Sequence, residues 1–172
     1  MNRRHGVSRA IVQRRSGRAP GAQGVVYVET LVALLTPIFF FFTIWQLVDL
    51  FTAQLILKHA AVVAVRAASV VGPDDPRFYG GQAKDQPNRG TRLDDVKSAA
   101  ALVLVASPHF RSVPNVRVEG TFTADSAVTV TVETEYLCLS GWLNMVCGGQ
   151  RSRPMQARAV FPYQGASFPY QH

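Results

Sequence analysis

From Thr30 to Val48 nineteen residues pass without a charge. An α-helix rises about 1.5 Å per residue, so this run spans about 28 Å, close to the ~30 Å hydrocarbon core of a bilayer. Phe39, Phe40, Phe41, Phe42 and Trp45 make it apolar on every side, unlike the half-polar helix of a domain surface. Pro37 falls inside the run. Proline costs about 3 kcal/mol in the interior of a helix in water, yet membrane helices tolerate it. A buried core helix is the competing reading, but the rest of a 172-residue chain is too small to wrap one this apolar. The expectation is a single transmembrane helix.

The residues before it set its orientation. Residues 1–24 hold Arg3, Arg4, Arg9, Arg14, Arg15 and Arg18 and no Asp or Glu. These six charges supply most of the net +7 and leave twelve Lys and Arg against eleven Asp and Glu elsewhere. A basic chain invites a nucleic-acid reading, but here the charge sits in one short head, so no nucleic-acid partner is expected. Past the span only Lys58 and Arg66 follow within about 20 residues, and the positive-inside rule then places the leader in the cytoplasm and the bulk of the chain outside. Gly6, Gly17, Pro20 and Gly21 make an unstructured leader the expectation.

The junction of leader and span carries the most specific motif, Gly24-Val25-Val26-Tyr27-Val28-Glu29. An ionised Glu at the mouth of a membrane span is costly and by default marks function. If the chain were cut after Gly24, the new amino group of Val25 would lie about one helical turn from Glu29, and the two charges could neutralise each other. A cleavable secretory signal is the rival. Its apolar region is usually about 7–15 residues and ends at a small-x-small site. This run is longer and ends at Asp49-Leu50-Phe51, and the small residues from Ala60 to Ala68 lie too far beyond it. Cleavage before the apolar run fits better than cleavage after it.

The helical pattern continues from Asp49 to Val71, rich in Ala, Leu and Val, with Thr52, His59 and Arg66 forming a loose polar stripe. Gly72-Pro73 stops it. From Val25 to Val71 the helix would run about 70 Å if continuous. Asp74 to Gly90 reads as a loop. Thr91 to Ser107 reads as a second helix, with Thr91 as N-cap and Asp94 and Asp95 at its positive start. Val116, Val118 and Phe122 alternate with Arg117, Glu119 and Thr121. Val128, Val130, Val132, Thr134 and Tyr136 alternate with Thr129, Thr131, Glu133 and Glu135. This period of two predicts half-buried antiparallel strands with a turn at Asp125-Ser126, and Pro154 to Tyr163 is a further strand. The organisation is a basic leader at 1–24, a transmembrane helix and stem at 25–71, and an exported domain at 72–172. The fold class is α+β, a long amino-terminal helix followed by one helix and an antiparallel sheet of about three strands.

Cys138 and Cys147, with eight residues between them, are the only cysteines. In an exported domain an even count points to a disulfide, which for a loop this short contributes about 2–3 kcal/mol in the chain-entropy model. Zinc is the other reading, but two thiols without a nearby His make a poor site. His5, His59, His109 and His172 are scattered, and His59 reads as a solvated stem residue. No nucleophile elbow, phosphate-binding loop or metal-binding helix appears. The expectation is no catalytic residue, no metal and no cofactor.

Over residues 16–71 the chain resembles the TadE-like family, pseudopilins of bacterial tight-adherence (Flp) pilus systems. The resemblance rests on the Arg-containing leader, Gly24, Glu29 five residues on, the apolar helix with Pro37, Asp49 at its outer end and the Ala-rich stem with Arg66. The family often places an aromatic directly after the Glu; here Thr30 stands there and Tyr27 precedes it. The resemblance implies processing by a prepilin peptidase between Gly24 and Val25, with Glu29 as the recognition carboxylate. It also implies a single-pass inner-membrane protein whose partners are other pilin-like subunits and the pilus assembly machinery. A minor component is implied rather than the major subunit, which in these pili is generally much shorter. The alternative is an unprocessed single-pass envelope protein whose extracytoplasmic domain binds a ligand or partner; an enzyme is a third and weaker reading.

Overall fold

The computed structural model describes residues 22–123, 126–138, 147–148 and 150–163, with side chains from Val26 onward. The leader up to residue 21 and the expected turn residue Asp125 lie outside the described residues. The fold is α+β. Helix α1 runs Ala22–Val71, a 3₁₀ turn Pro76–Tyr79, helix α2 Gly90–Leu104, and strands β1 Asn115–Glu119, β2 Ser126–Leu137 and β3 Ser152–Tyr163. The chain forms two compact units, one ending at Phe41 and one running from Phe42 to the C-terminus.

The first unit contains the start of α1. Val26, Tyr27, Val28, Leu31, Val32, Leu34 and Leu35 are all more than half exposed. The helix passes through Pro37 without a cis bond, and the Ala33 carbonyl has no amide four residues on to bond. Val26–Val71 is, among the described residues, the one helix long and apolar enough to cross a membrane.

The second unit takes the remainder of α1 into its core. Ala53, Leu57, Ala60, Ala61, Ala64, Val65 and Ala68 are buried at helical spacing, while Thr52, His59 and Arg66 are exposed on other faces. The small alanines let the neighbouring elements approach closely. Val96, Ala100 and Leu104 of α2 join the same core. The sheet has the order β1-β2-β3, antiparallel throughout. Its register places Val116 and Ala157 on either side of Val132, and Val118 and Ala159 on either side of Val130. These rows face the core, as the period of two predicts, and Thr134 and Tyr136 continue them.

Several boundaries differ from the sequence expectation; β2 already includes Ser126, expected in the turn, and β3 begins at Ser152 rather than Pro154. Helix α2 begins at Gly90, and the residue at its N-cap is Arg89, without a side-chain capping bond. Thr91 is not the cap; its hydroxyl instead faces Gln82 Oε1 at 3.5 Å. The helix ends at Leu104, and the turns expected to carry it to Ser107 tighten into Val103–Ala106 and Leu104–Ser107 bonds. β1 stops before Phe122 because Gly120 turns the chain with φ +125°, where a side chain would meet the Ala127 carbonyl at 2.6 Å. Phe122 then folds back edge-to-face on Tyr163, with ring centroids 5.5 Å apart.

Candidate functional site

The amino-terminal motif lies within α1. Gly24, Val25 and Glu29 occupy about one and a half turns of continuous helix. Val25 and Glu29 are four positions, about one turn, apart along the helix. The Glu29 side chain is exposed and, among the described residues, makes no ion pair. Thr30, beside it, donates its hydroxyl to the Val26 carbonyl at 2.8 Å and so hides its polarity in the helix backbone. The helix thus presents a single carboxylate among apolar side chains, followed by exposed Leu, Val, Ile and Phe through Phe42.

Cys138 and Cys147 form a disulfide with a Cα–Cα separation of 6.6 Å. It lies directly after β2, where the Cys138 amide donates to the Arg151 carbonyl at 3.0 Å and carries the β2–β3 ladder past the strand ends. Among the described residues no group of three or more His, Cys, Asp or Glu could hold a metal ion.

Two polar clusters in the second unit went unread in the sequence. Arg92 on α2 is fully buried. Its Nη1 donates to the carbonyls of Val71 and Gly72, the second at 3.0 Å, and its Nη2 to those of Asp74 at 2.9 Å and Gln82 at 3.4 Å. Its guanidinium carbon lies 4.2 Å from the centre of the Tyr79 ring, and among the described residues Nε has no hydrogen-bond partner. The cation therefore closes the carboxyl end of α1, where carbonyls lack helical partners and the dipole is negative. Burial, followed by the hydrogen bond to Asp74, pushes the Tyr79 phenol above its ordinary range.

The second cluster joins Asp49, His109 and Tyr136. His109 Nε2 is 3.4 Å from Asp49 Oδ2, its Nδ1 is 3.3 Å from the Leu137 carbonyl, and its ring stacks on Tyr136 at 5.0 Å. Burial, with a smaller contribution from the Asp49 charge, raises the Tyr136 phenol. Asp49 was expected only as the acidic end of the span; here it also ties α1 to the segment before β1.

A cavity of about 560 Å³ lies at the β1–β2–β3 end near Ser112, Asn115, Glu133, Glu135 and Met155. Glu133 in its wall already bonds Asn115 at 3.0 Å and faces Arg117 at 3.7 Å. No protein-family model, curated protein or solved structure matches this chain.

Proposed function

We propose that the chain is a membrane-anchored, pilin-like assembly protein of the TadE type, acting in assembly of a tight-adherence type IV pilus, and not an enzyme. The observation that carries this reading is the placement of Gly24, Val25 and Glu29 at the head of a helix whose following apolar side chains are exposed through Phe42. Such a surface is stable in lipid or against other apolar helices, not in water. A prepilin peptidase cutting after Gly24 would create an α-amine at Val25, one turn from the Glu29 carboxylate. That pairing, within one chain or between neighbours, offsets the cost of charge at the membrane edge and sets register between helices. The six arginines of the leader support a cytoplasmic amino terminus in the bacterial inner membrane, with the α+β domain exported. The disulfide supports the same side, since such bonds persist in oxidising compartments.

Amino-terminal sequencing and intact-mass measurement of the protein extracted from native membranes test this reading. The mature chain is expected to start at Val25. A chain still starting at Met1 would favour an unprocessed envelope anchor, and one starting beyond Asp49 a secreted protein.

A further inference from the structure

β3 borders the sheet on one side, and two prolines lay out its outer edge. A proline has no amide hydrogen, so in a strand it belongs where the backbone nitrogen faces away from the neighbouring strand. Pro154 and Pro162 both sit at even positions, opposite Glu135 and Ala127 of β2. The ladder gives the same parity independently. The Cys138 amide bonds the Arg151 carbonyl, so odd residues on this strand turn their backbone toward β2, and the Leu137 amide bonds the His109 carbonyl on the opposite side of β2. Between the prolines, the amides of Gln156, Arg158 and Val160 therefore point outward. Among the described residues none of the three has a hydrogen-bond partner beyond the sheet, and all three side chains are exposed.

Prolines and charges commonly blunt a sheet edge. Here the prolines close only its ends and leave a window of three consecutive outward amides. Within it Arg158 is the one charged residue; Arg151 and Arg153 precede it, and no Asp or Glu occurs between 151 and 163. Across the sheet Arg158 stands beside Thr131 and then Arg117, whose own partner is Glu133. A second copy of β3, paired antiparallel about Arg158, would set arginine opposite arginine, which is destabilising. A strand carrying carboxylates would neutralise it. The pleat then dictates the alternation, with apolar side chains continuing the rows of Ala157 and Ala159 and acidic side chains beside Arg158.

We propose that the outer edge of β3 between Pro154 and Pro162 is a strand-addition site for an extended segment of a partner protein that alternates apolar and acidic residues. Main-chain bonds to Gln156, Arg158 and Val160 supply affinity, and Arg158 selects the charge. The inference does not rest on the pilus reading, and its outcome leaves the maturation test above untouched.

The test uses the full chain in detergent micelles and the synthetic peptide acetyl-Val-Glu-Val-Glu-Val-Glu-Val-amide, with a Lys-for-Glu peptide as control, read by residue-resolved amide exchange. The acidic peptide should slow exchange at Gln156, Arg158 and Val160 by about tenfold or more, and leave Ala157 and Ala159, already bonded to β2, unchanged. Arg158→Glu, an exposed substitution, should transfer the preference to the Lys peptide. Three results would overturn the proposal: no slowing with the acidic peptide, equal slowing with the Lys peptide, or slowing without peptide that grows with protein concentration, which would assign the edge to a second copy.

Discussion

Asp49 Oδ2 and His109 Nε2 lie 3.4 Å apart and join α1 to the segment between α2 and β1. The other ring nitrogen faces the Leu137 carbonyl at 3.3 Å. Both neighbours are acceptors, so whichever ring nitrogen carries a hydrogen has a partner to donate to. The Asp49 side chain is 44% exposed, which screens the pair. A double-mutant cycle with Asp49→Asn and His109→Phe, the latter keeping the stack on Tyr136, should give a coupling of about 0.5–1 kcal/mol in denaturant unfolding of the detergent-solubilised chain. Additive single effects would mean the two groups act independently.

Arg92 is the most demanding polar residue of the second unit. Replacing it with Met would take one donor from each of the Val71, Gly72, Asp74 and Gln82 carbonyls, of which Gly72 keeps the Asp85 amide at 2.8 Å. Because α1 ends there, the loss should be large, about 3 kcal/mol or more. Lys keeps the cation but not the planar fork that reaches four carbonyls, so Arg92→Lys should recover only part. Thermal unfolding of the three proteins in one detergent checks the order Arg, Lys, Met. If Lys matched Arg, the fork geometry would contribute nothing.

The contrast between Arg92 and β2 explains what the chain reveals about itself. The run Val128 to Tyr136 declares its buried side by alternation, because the period of the pleat is written in the residues themselves. The face of α1 from Ala53 to Ala68 does so by helical spacing. Arg92 sits in Thr91-Arg92-Leu93-Asp94, a string typical of an exposed first turn, and its partners are backbone carbonyls from 10 to 21 positions away. Carbonyls have no sequence signature. The one available clue was the Gly72-Pro73 stop, which leaves helix-end carbonyls in need of a donor. The Asp49–His109 pair was hidden for the same reason, since two residues sixty positions apart in sequence meet only once the sheet is built. Glu29 stands out in the sequence because it is the one charged residue between Arg18 and Asp49.

Tyr163 gives the fold an alkaline limit. Burial first, then the 3.0 Å hydrogen bond to Asp85 and its charge, push the phenol up to about 12. In the unfolded chain it ionises near its ordinary value of 10. The unfolded state therefore releases its proton first as pH rises, and the stability linked to Tyr163 is complete below pH 10 and lost through about pH 12. Tyr163→Phe keeps the packing on Phe122 and removes the titrating group. It should lower stability near neutral pH by about 1 kcal/mol and flatten the decline over the alkaline window. An unchanged slope would place the alkaline sensitivity elsewhere.

Glu29 separates an assembly protein from a simple anchor. Its exposed carboxylate is the one charge on the described helix before Asp49. Removing it makes the span more apolar, so Glu29→Gln and Glu29→Val should both insert in the membrane as well as the native chain. If its role is to meet the Val25 amine of its own or a neighbouring chain, both substitutions should weaken association with other pilin-like helices and reduce pilus assembly. Gln, which keeps hydrogen bonding without charge, should be the milder of the two. Gly24→Leu should act earlier, leaving an unprocessed precursor with Glu29 intact. Cross-linking in native membranes, together with counts of assembled pili, distinguishes these cases. Normal pili and native cross-links in a Glu29→Val strain would make the carboxylate incidental and favour an envelope anchor whose business is conducted by its C-terminal domain.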